Sequence, residues 1–495
     1  MKIVIIGGGV SGLAAGIYAQ KCGFQSEIYE KNPNLGGMCS YWMRHGFLID
    51  NCVHWLCGTN PDADIHKVWK DLNILGDGID VIQHPSFFQI EQDGQTVNIW
   101  QNVERTRREL KQLSPEDSDA IDNFIDTINK YKSVFIPTEP KEMMSFGYIL
   151  RMIWKMKKVL LVNGIYSKMS LEQYASCFKH PLLRRMCTAY FPETYNAMSM
   201  FYTYATFCSG NGGLPKGGSK GMIERMTGLY ERLGGKIFTS HEATEITVEG
   251  KKAKGVKFLD GSFVEADWIV PACDSFETFS NLLPVKYTEP FFAEKYKNTE
   301  KFRVYNSANC YYALEAKAED IMPQNTMILD CNINILGNVR TEFVMKNFDY
   351  EPSFAPEGKS VLQVLISLYE KDFDRWKDLY DNDREAYKEA KRQLDLNVKT
   401  CIEEHFPEMK GKLKSIDVAT PVTHYRYCKA YKGAYMSFVL TPFVKKEMHN
   451  GRIKDIENIA LAGQWLQMPG GLPNAAITGK FAIQRICKSI GKKFL

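Results

Sequence analysis

The chain lacks the features that would place it across a membrane, in an oxidising compartment or on nucleic acid. No stretch reaches the roughly eighteen consecutive uncharged apolar residues that a bilayer-spanning helix requires. The thirteen cysteines include no Cys-x-x-Cys pair, and their odd number argues against a disulfide framework, so reduced thiols in a cytosolic setting are expected. A net charge of only +4 over 495 residues, without zinc-finger spacing or a long basic tail, argues against nucleic acid as a partner. There is no metal-ligand spacing, no Gly-x-Ser-x-Gly nucleophile turn, no internal repeat and no low-complexity linker. Met1-Lys2 ahead of apolar residues has the look of a secretory signal, but Gly7-Gly8-Gly9 interrupts the apolar core and no small-residue cleavage site follows. A leaderless intracellular protein is the expectation.

What is present is an ordinary globular composition, 44% hydrophobic and 24% charged, long enough for two large domains or three smaller ones. It opens on a fingerprint. Ile3-Val4-Ile5-Ile6 reads as a strand, Gly7-Gly8-Gly9-Val10-Ser11-Gly12 follows, then a helical stretch, a second strand ending at Glu30, and Gly36-Gly37. In this strand-to-helix setting Gly-x-Gly-x-x-Gly binds a dinucleotide. Gly7 permits the tight turn, Gly9 lets the backbone approach a pyrophosphate, and Gly12 lets the helix pack closely on the strand. The helix start, with Val10 and Ser11, then faces the phosphates, and Glu30 is placed to accept hydrogen bonds from a ribose. This is the chain's one complete fingerprint, since the glycine-rich run at 210–221 has the wrong spacing. A separate nicotinamide domain is therefore not expected.

The pattern then changes and returns. Residues 1–75 read as the first segment of a nucleotide-binding domain, and 76–205 as a second domain, with short strands near 87–90 and 97–100 and a helix start at Ser114-Pro115-Glu116-Asp117. Strand and helix alternate again over 206–290, with a hairpin turn at Asp260-Gly261. Residues 291–440 are mixed, with a strand at 360–366 and a long charged helix over 381–404. Residues 441–495 close with a buried strand, Ile459 to Gly463, and a helix from Ala475 to Ser489. The chain thus leaves its nucleotide-binding domain and re-enters it twice.

The fingerprint with Glu30, Gly36-Gly37, Gly46 to Asp50, Leu214 to Gly218, Asp349 to Lys359, Thr420 to Thr423, Leu461 to Trp465, Pro469 to Gly471 and Ala475-Ala476 resembles the phytoene desaturase-like flavoproteins. That group comprises carotenoid desaturases, carotenoid isomerases and retinol saturases, and is related more distantly to amine oxidases. The resemblance spans nearly the whole chain. It implies an α/β fold: a discontinuous Rossmann-like FAD-binding domain with a parallel sheet, and an inserted α+β substrate domain. It implies FAD as cofactor, held by Gly7, Gly9, Val10, Ser11, Gly12, Glu30, Lys31, Gly36, Gly37, Met38, Asp50, His54, Ala243, Gly463, Gln464, Gly471 and Ala475. Ala243 would clamp the adenine through its backbone. Two positions depart from the group: Met38 and Cys39 stand where an Arg commonly follows the glycine pair, and Gln464 where an acid is frequent.

The resemblance also implies chemistry on carbon–carbon bonds of a hydrophobic isoprenoid or polyene, by desaturation, saturation or isomerisation, with an unidentified external electron donor or acceptor. His54 is the catalytic candidate, a group able to give or take a proton near neutral pH, or else a hydrogen-bonded structural histidine. His424, Tyr425 and Tyr427 are weaker candidates for the pocket wall. Phe146 to Val162 carries Arg151, Lys155 and Lys158 on one helical face and a broad apolar remainder with Trp154. Such a segment suits either a helix lying in a membrane interface, reached from the cytoplasmic side, or one packed on the core with a solvated basic stripe. Two other functions remain open: a flavin amine oxidase, and a non-catalytic binding protein like the inhibitors that hold prenylated GTPases.

Overall fold

A computed structural model describes residues 1–191 and 194–495. Ile3, Val4 and Ile5 are fully buried because the strand Lys2–Ile6 is the centre of a sheet covered on both faces. The strand order is Lys236–Phe238, Gln25–Tyr29, Lys2–Ile6, Trp268–Pro271, Ile456–Ala460 and Arg452–Ile453. The first five run parallel, and the last turns back antiparallel. One sheet thus gathers strands from three distant stretches of chain. The helix Val10–Lys21 is buried along most of its length, with the C-terminal helix Leu472–Ser489 against it. Small residues allow that approach: a Cβ on Gly479 would lie 2.4 Å from the Ser11 carbonyl oxygen.

The second large sheet has seven strands in the order Leu413–Ala419, Tyr305–Leu314, Ser360–Tyr369, Asn338–Asn347, Thr326–Ile335, Ser86–Gln92 and Gln95–Trp100. All neighbours are antiparallel except Thr326–Ile335 with Ser86–Gln92. Trp376, Tyr387, Leu394 and Val398, from the helices Glu370–Asn382 and Arg384–His405, pack on one region of this sheet. A cluster of helices between residues 103 and 208 packs on another. The fold is α/β, with a Rossmann-like sheet beside an α+β unit. Two local expectations change. The charged helix expected from about 381 to 404 is Arg384–His405; only its start moves, to Asp383, whose side chain caps it by accepting from Ala386 N, and a separate helix, Glu370–Asn382, precedes it. Ser114 does not cap a helix through a backbone N–H; its hydroxyl donates to Asp117, whose carboxylate is held by the N–H groups of Lys179 and His180.

Candidate functional site

A cavity of about 650 Å³ opens at the carboxyl ends of the parallel strands. It lies where the chain leaves Lys2–Ile6 with a neighbouring strand on either side, the position at which doubly wound sheets bind ligands. Gly7, Glu30 and Ala272, each just past the end of one of three adjacent strands, line it. Two helices begin on the same space. Val10–Lys21 has Gly9 at its N-cap and Leu472–Ser489 has Gly471; neither has a side-chain cap or an acid in its first turn. Their leading N–H groups and dipole ends therefore favour an anion between them.

The glycines are shaped for close backbone approach. Gly36 (φ 120°) donates its N–H to Gly8 O at 3.0 Å, and a Cβ on Gly37 would stand 3.2 Å from Gly9 Cα. Glu30 is buried; its Oε2 accepts from Gly8 N at 2.8 Å and its Oε1 from the backbone and side chain of Asn32. A carboxylate has about four lone-pair positions, so acceptor capacity remains for a hydroxyl. Further along, Asn51, Ser307 and Asn309 add a polar strip, and the buried Asn309 Oδ1 has no hydrogen-bond partner among the described residues. Beyond it the walls turn apolar and aromatic: Tyr131, Phe135, Met156, Val159, Tyr190, Phe191, Tyr195, Met198, Tyr202 and Leu440. Met156, Val159 and Asn163 come from the inner face of the helix Phe146–Tyr166.

The model of the family described as "Flavin containing amine oxidoreductase" matches residues 10–487. The chain belongs to the flavin-containing amine oxidoreductase family. Among curated relatives, a lycopene-forming phytoene desaturase from Paracoccus sp. is 23% identical, with 97% of this chain and 96% of the relative covered. An all-trans-retinol 13,14-reductase from Danio rerio is 23% identical, with 98% and 86% covered. An oxidoreductase structure from Methanosarcina mazei superposes with a TM-score of 0.64 at 15% identity, covering 98% of this chain and all of that one, a likeness of fold. This flavoenzyme is an FAD-dependent oxidoreductase.

The cavity fits FAD on its own geometry: an anion site between two uncapped helix starts, an acceptor at Glu30 at one end, and an unpaired Asn309 acceptor at the other. Of the residues expected to bind the cofactor, Gly7, Gly9, Val10, Ser11, Glu30, Lys31, Gly36, Gly37, Met38, His54, Ala243, Gly463, Gln464, Gly471 and Ala475 all line it. Gln464 uses its carbonyl to accept from Gly471 N at 2.9 Å, fixing the second helix start. Two expected residues stand elsewhere. Gly12 is off the wall and serves packing, since a Cβ there would lie 1.9 Å from Gly7 O. Asp50 is buried behind the wall, where it accepts from the N–H groups of Cys52, Val53 and Ser219 and from the Ser219 hydroxyl.

Of the two readings of His54, its surroundings agree with the hydrogen-bonded structural histidine. It lines the cavity with Nε2 3.2 Å from Gln363 Oε1. Desolvation first, and then the charge of buried Lys346, push its pKa down to about 3. At neutral pH it is an uncharged imidazole rather than a titrating one. Lys346 donates to the carbonyls of Val53 and His54 at 3.2 and 3.4 Å, and burial pushes it down to about 8. His424 lines the same wall, and burial lowers it to about 4. Tyr427 also lies on the wall, whereas Tyr425 packs against Phe373. Asn309 and the run Ala272-Cys273-Asp274 also line the cavity, with no motif of their own to mark them. The latter was findable, because it follows Trp268-Ile269-Val270-Pro271, an apolar run that reads as a buried strand.

Proposed function

We propose that this flavoenzyme acts on carbon–carbon double bonds of an extended hydrophobic isoprenoid or polyene. The observation that carries this reading is the continuity of the cavity from the glycine fingerprint to a long apolar and aromatic end. The relatives' names agree, one being a phytoene desaturase and another a retinol reductase. FAD would be held by the fifteen expected residues that line the cavity, with Asn51 and Asn309 added, in a nucleotide-binding domain made of 1–75, 206–290 and 441–495. The substrate domain would be 76–205 and 291–440. When bound, FAD supplies a reversible acceptor for hydride.

The chain's own residues would exclude water and align the substrate. Tyr190, Phe191, Tyr195 and Tyr202 offer flat faces to a conjugated chain. Neutral His54 adds no charge that an apolar substrate would have to desolvate. The helix Phe146–Tyr166 gives the substrate a route. Its inner face lines the cavity, while Phe146, Leu150, Ile153, Trp154, Leu160, Leu161 and Ile165 face outward and are exposed. Arg151 and Lys155 are paired with Asp64, and Lys157 sits over the Trp154 ring. We infer that this face rests on a lipid surface; among the described residues no helix is long and apolar enough to cross a membrane.

The test is anaerobic. Oxidised and reduced holoenzyme are each mixed with a polyene, a retinoid, an unsaturated fatty acid and an amine. Flavin reoxidation with loss of conjugated absorption is the expected sign of saturation, flavin reduction with a gain of conjugation that of desaturation, and a new isomer with unchanged flavin that of isomerisation. A response to the amine alone overturns the reading.

A further inference from the structure

The hairpin that follows the glycine pair places two cysteines opposite each other. Its strands, Tyr41–Arg44 and Phe47–Asp50, pair Tyr41 with Asp50, and Asn51 N donates to Ser40 O at 3.1 Å, so the ladder continues outward. The Asn51 amide also donates to the Ser40 hydroxyl across the same pair. The next pair in this register is Cys39 with Cys52. Because Ser40/Asn51 is hydrogen-bonded, Cys39/Cys52 is of the alternate kind, in which Cα atoms approach to about 4.5 Å. That lies within the span of about 4.4 to 6.8 Å that a disulfide bridges.

A hydrogen bond with Cys39 and burial together raise the Cys52 thiol well above its ordinary range. Both cysteines are free and line the flavin cavity. Their backbones are fixed: Cys39 N donates to Gly36 O at 3.0 Å, and Cys52 N to Asp50 Oδ1 at 3.1 Å. Cys39 stands two residues after Gly37, beside the backbone that approaches Gly9.

We propose that Cys39 and Cys52 form a reversible dithiol/disulfide couple that exchanges an electron pair with the flavin. In one direction the two S–H bonds break, the sulfurs join, the electron pair and one proton pass to the flavin, and the second proton leaves to solvent. In the other, reduced flavin returns the pair with its proton, the S–S bond breaks, and each sulfur takes a proton, one from the flavin and one from solvent. An external dithiol renews the thiols by two exchange steps, leaving as its own disulfide. This gives a chain with a single dinucleotide fingerprint a port through which electrons enter, whichever double-bond reaction it performs.

The experiment uses holoenzyme under anaerobic conditions. Dithiothreitol is expected to bleach the flavin of the wild type and to leave that of Cys39→Ser and Cys52→Ser oxidised, while dithionite bleaches all three and so reports that flavin is present. Titration of air-oxidised wild type with dithionite should consume two electron pairs per flavin, and each variant one. Alkylation in denaturant before reduction should leave one pair of the thirteen cysteines unmodified, mapped to Cys39 and Cys52 by mass spectrometry. Variants that bleach with dithiothreitol as fast as the wild type, or a wild type that takes one electron pair, overturn the proposal. A disulfide that forms without passing electrons to the flavin also overturns it.

Discussion

Two glycines of one fingerprint separate folding from cofactor binding. A methyl on Gly12 meets Gly7 O at 1.9 Å, so the first turn must shift, whereas a methyl on Gly9 meets nothing nearer than Gly36 O at 3.6 Å, and φ there is −75°, open to any residue. Gly12→Ala is expected to destabilise the FAD-free protein by about 3 kcal/mol. Gly9→Ala should cost no more than about 1 kcal/mol and yet weaken FAD binding more than about tenfold, because the methyl fills the space a pyrophosphate approaches. Urea midpoints of the FAD-free proteins and flavin titration check both. His54 gives a pH prediction. Its folded pKa is lowered to about 3 from 6.5, so between those values the unfolded chain binds the extra proton; stability is full above 6.5 and falls as pH drops toward 3. Between pH 7 and 5 the wild type should lose about 2 kcal/mol more than His54→Asn, at about 1.4 kcal/mol per pH unit; equal losses in denaturant titrations would show that His54 titrates normally. The glycines were legible because their spacing, set between a strand-like and a helix-like run, dictates their role. Asp50 was not, because its partner Ser219 is 169 residues away and nothing local to Asp50 marks it as structural.

At the scale of elements, the helix Phe146–Tyr166 was legible from its periodicity, but which apolar residues face outward was not, since that depends on where the cavity lies. Trp154 is 68% exposed and Leu161 78%, so neither supports the fold, while Val159, two residues before Leu161, is 2% exposed against the cavity. Each large side chain leaving a lipid surface forfeits about 2 kcal/mol. Trp154→Ser combined with Leu161→Ser is therefore expected to reduce sedimentation with lipid vesicles at least about tenfold and leave the unfolding midpoint unchanged. Vesicle binding that the double variant does not alter would remove the lipid-surface reading. The boundary at Asp383 between Glu370–Asn382 and Arg384–His405 was hidden because charged helix-forming residues continue on both sides, and only the backbone conformation with its cap on Ala386 reveals it. The parallel pairing of Thr326–Ile335 with Ser86–Gln92 was equally hidden, because period-two alternation identifies strands without naming their partners.

At the scale of the whole molecule, interleaving ties cofactor to substrate domain. The parallel sheet is complete only when Ile456–Ala460 has joined Trp268–Pro271, and the first helix is covered only when Leu472–Ser489 has docked. The cavity wall draws on both sheets: Gly7 and Ala272 follow strands of the first, while Ser307, Asn309 and Leu365 lie on strands of the second. A ligand that binds only the native arrangement of both should stabilise both. At a free concentration one hundred times its dissociation constant FAD adds about 2.7 kcal/mol, which slows hydrogen exchange through global opening about a hundredfold. Native-state exchange with and without FAD is expected to show that slowing in Lys2–Ile6 and equally in Tyr305–Leu314. Protection confined to Lys2–Ile6 would mean that the two sheets open independently, and that FAD organises only the nucleotide end of the cavity.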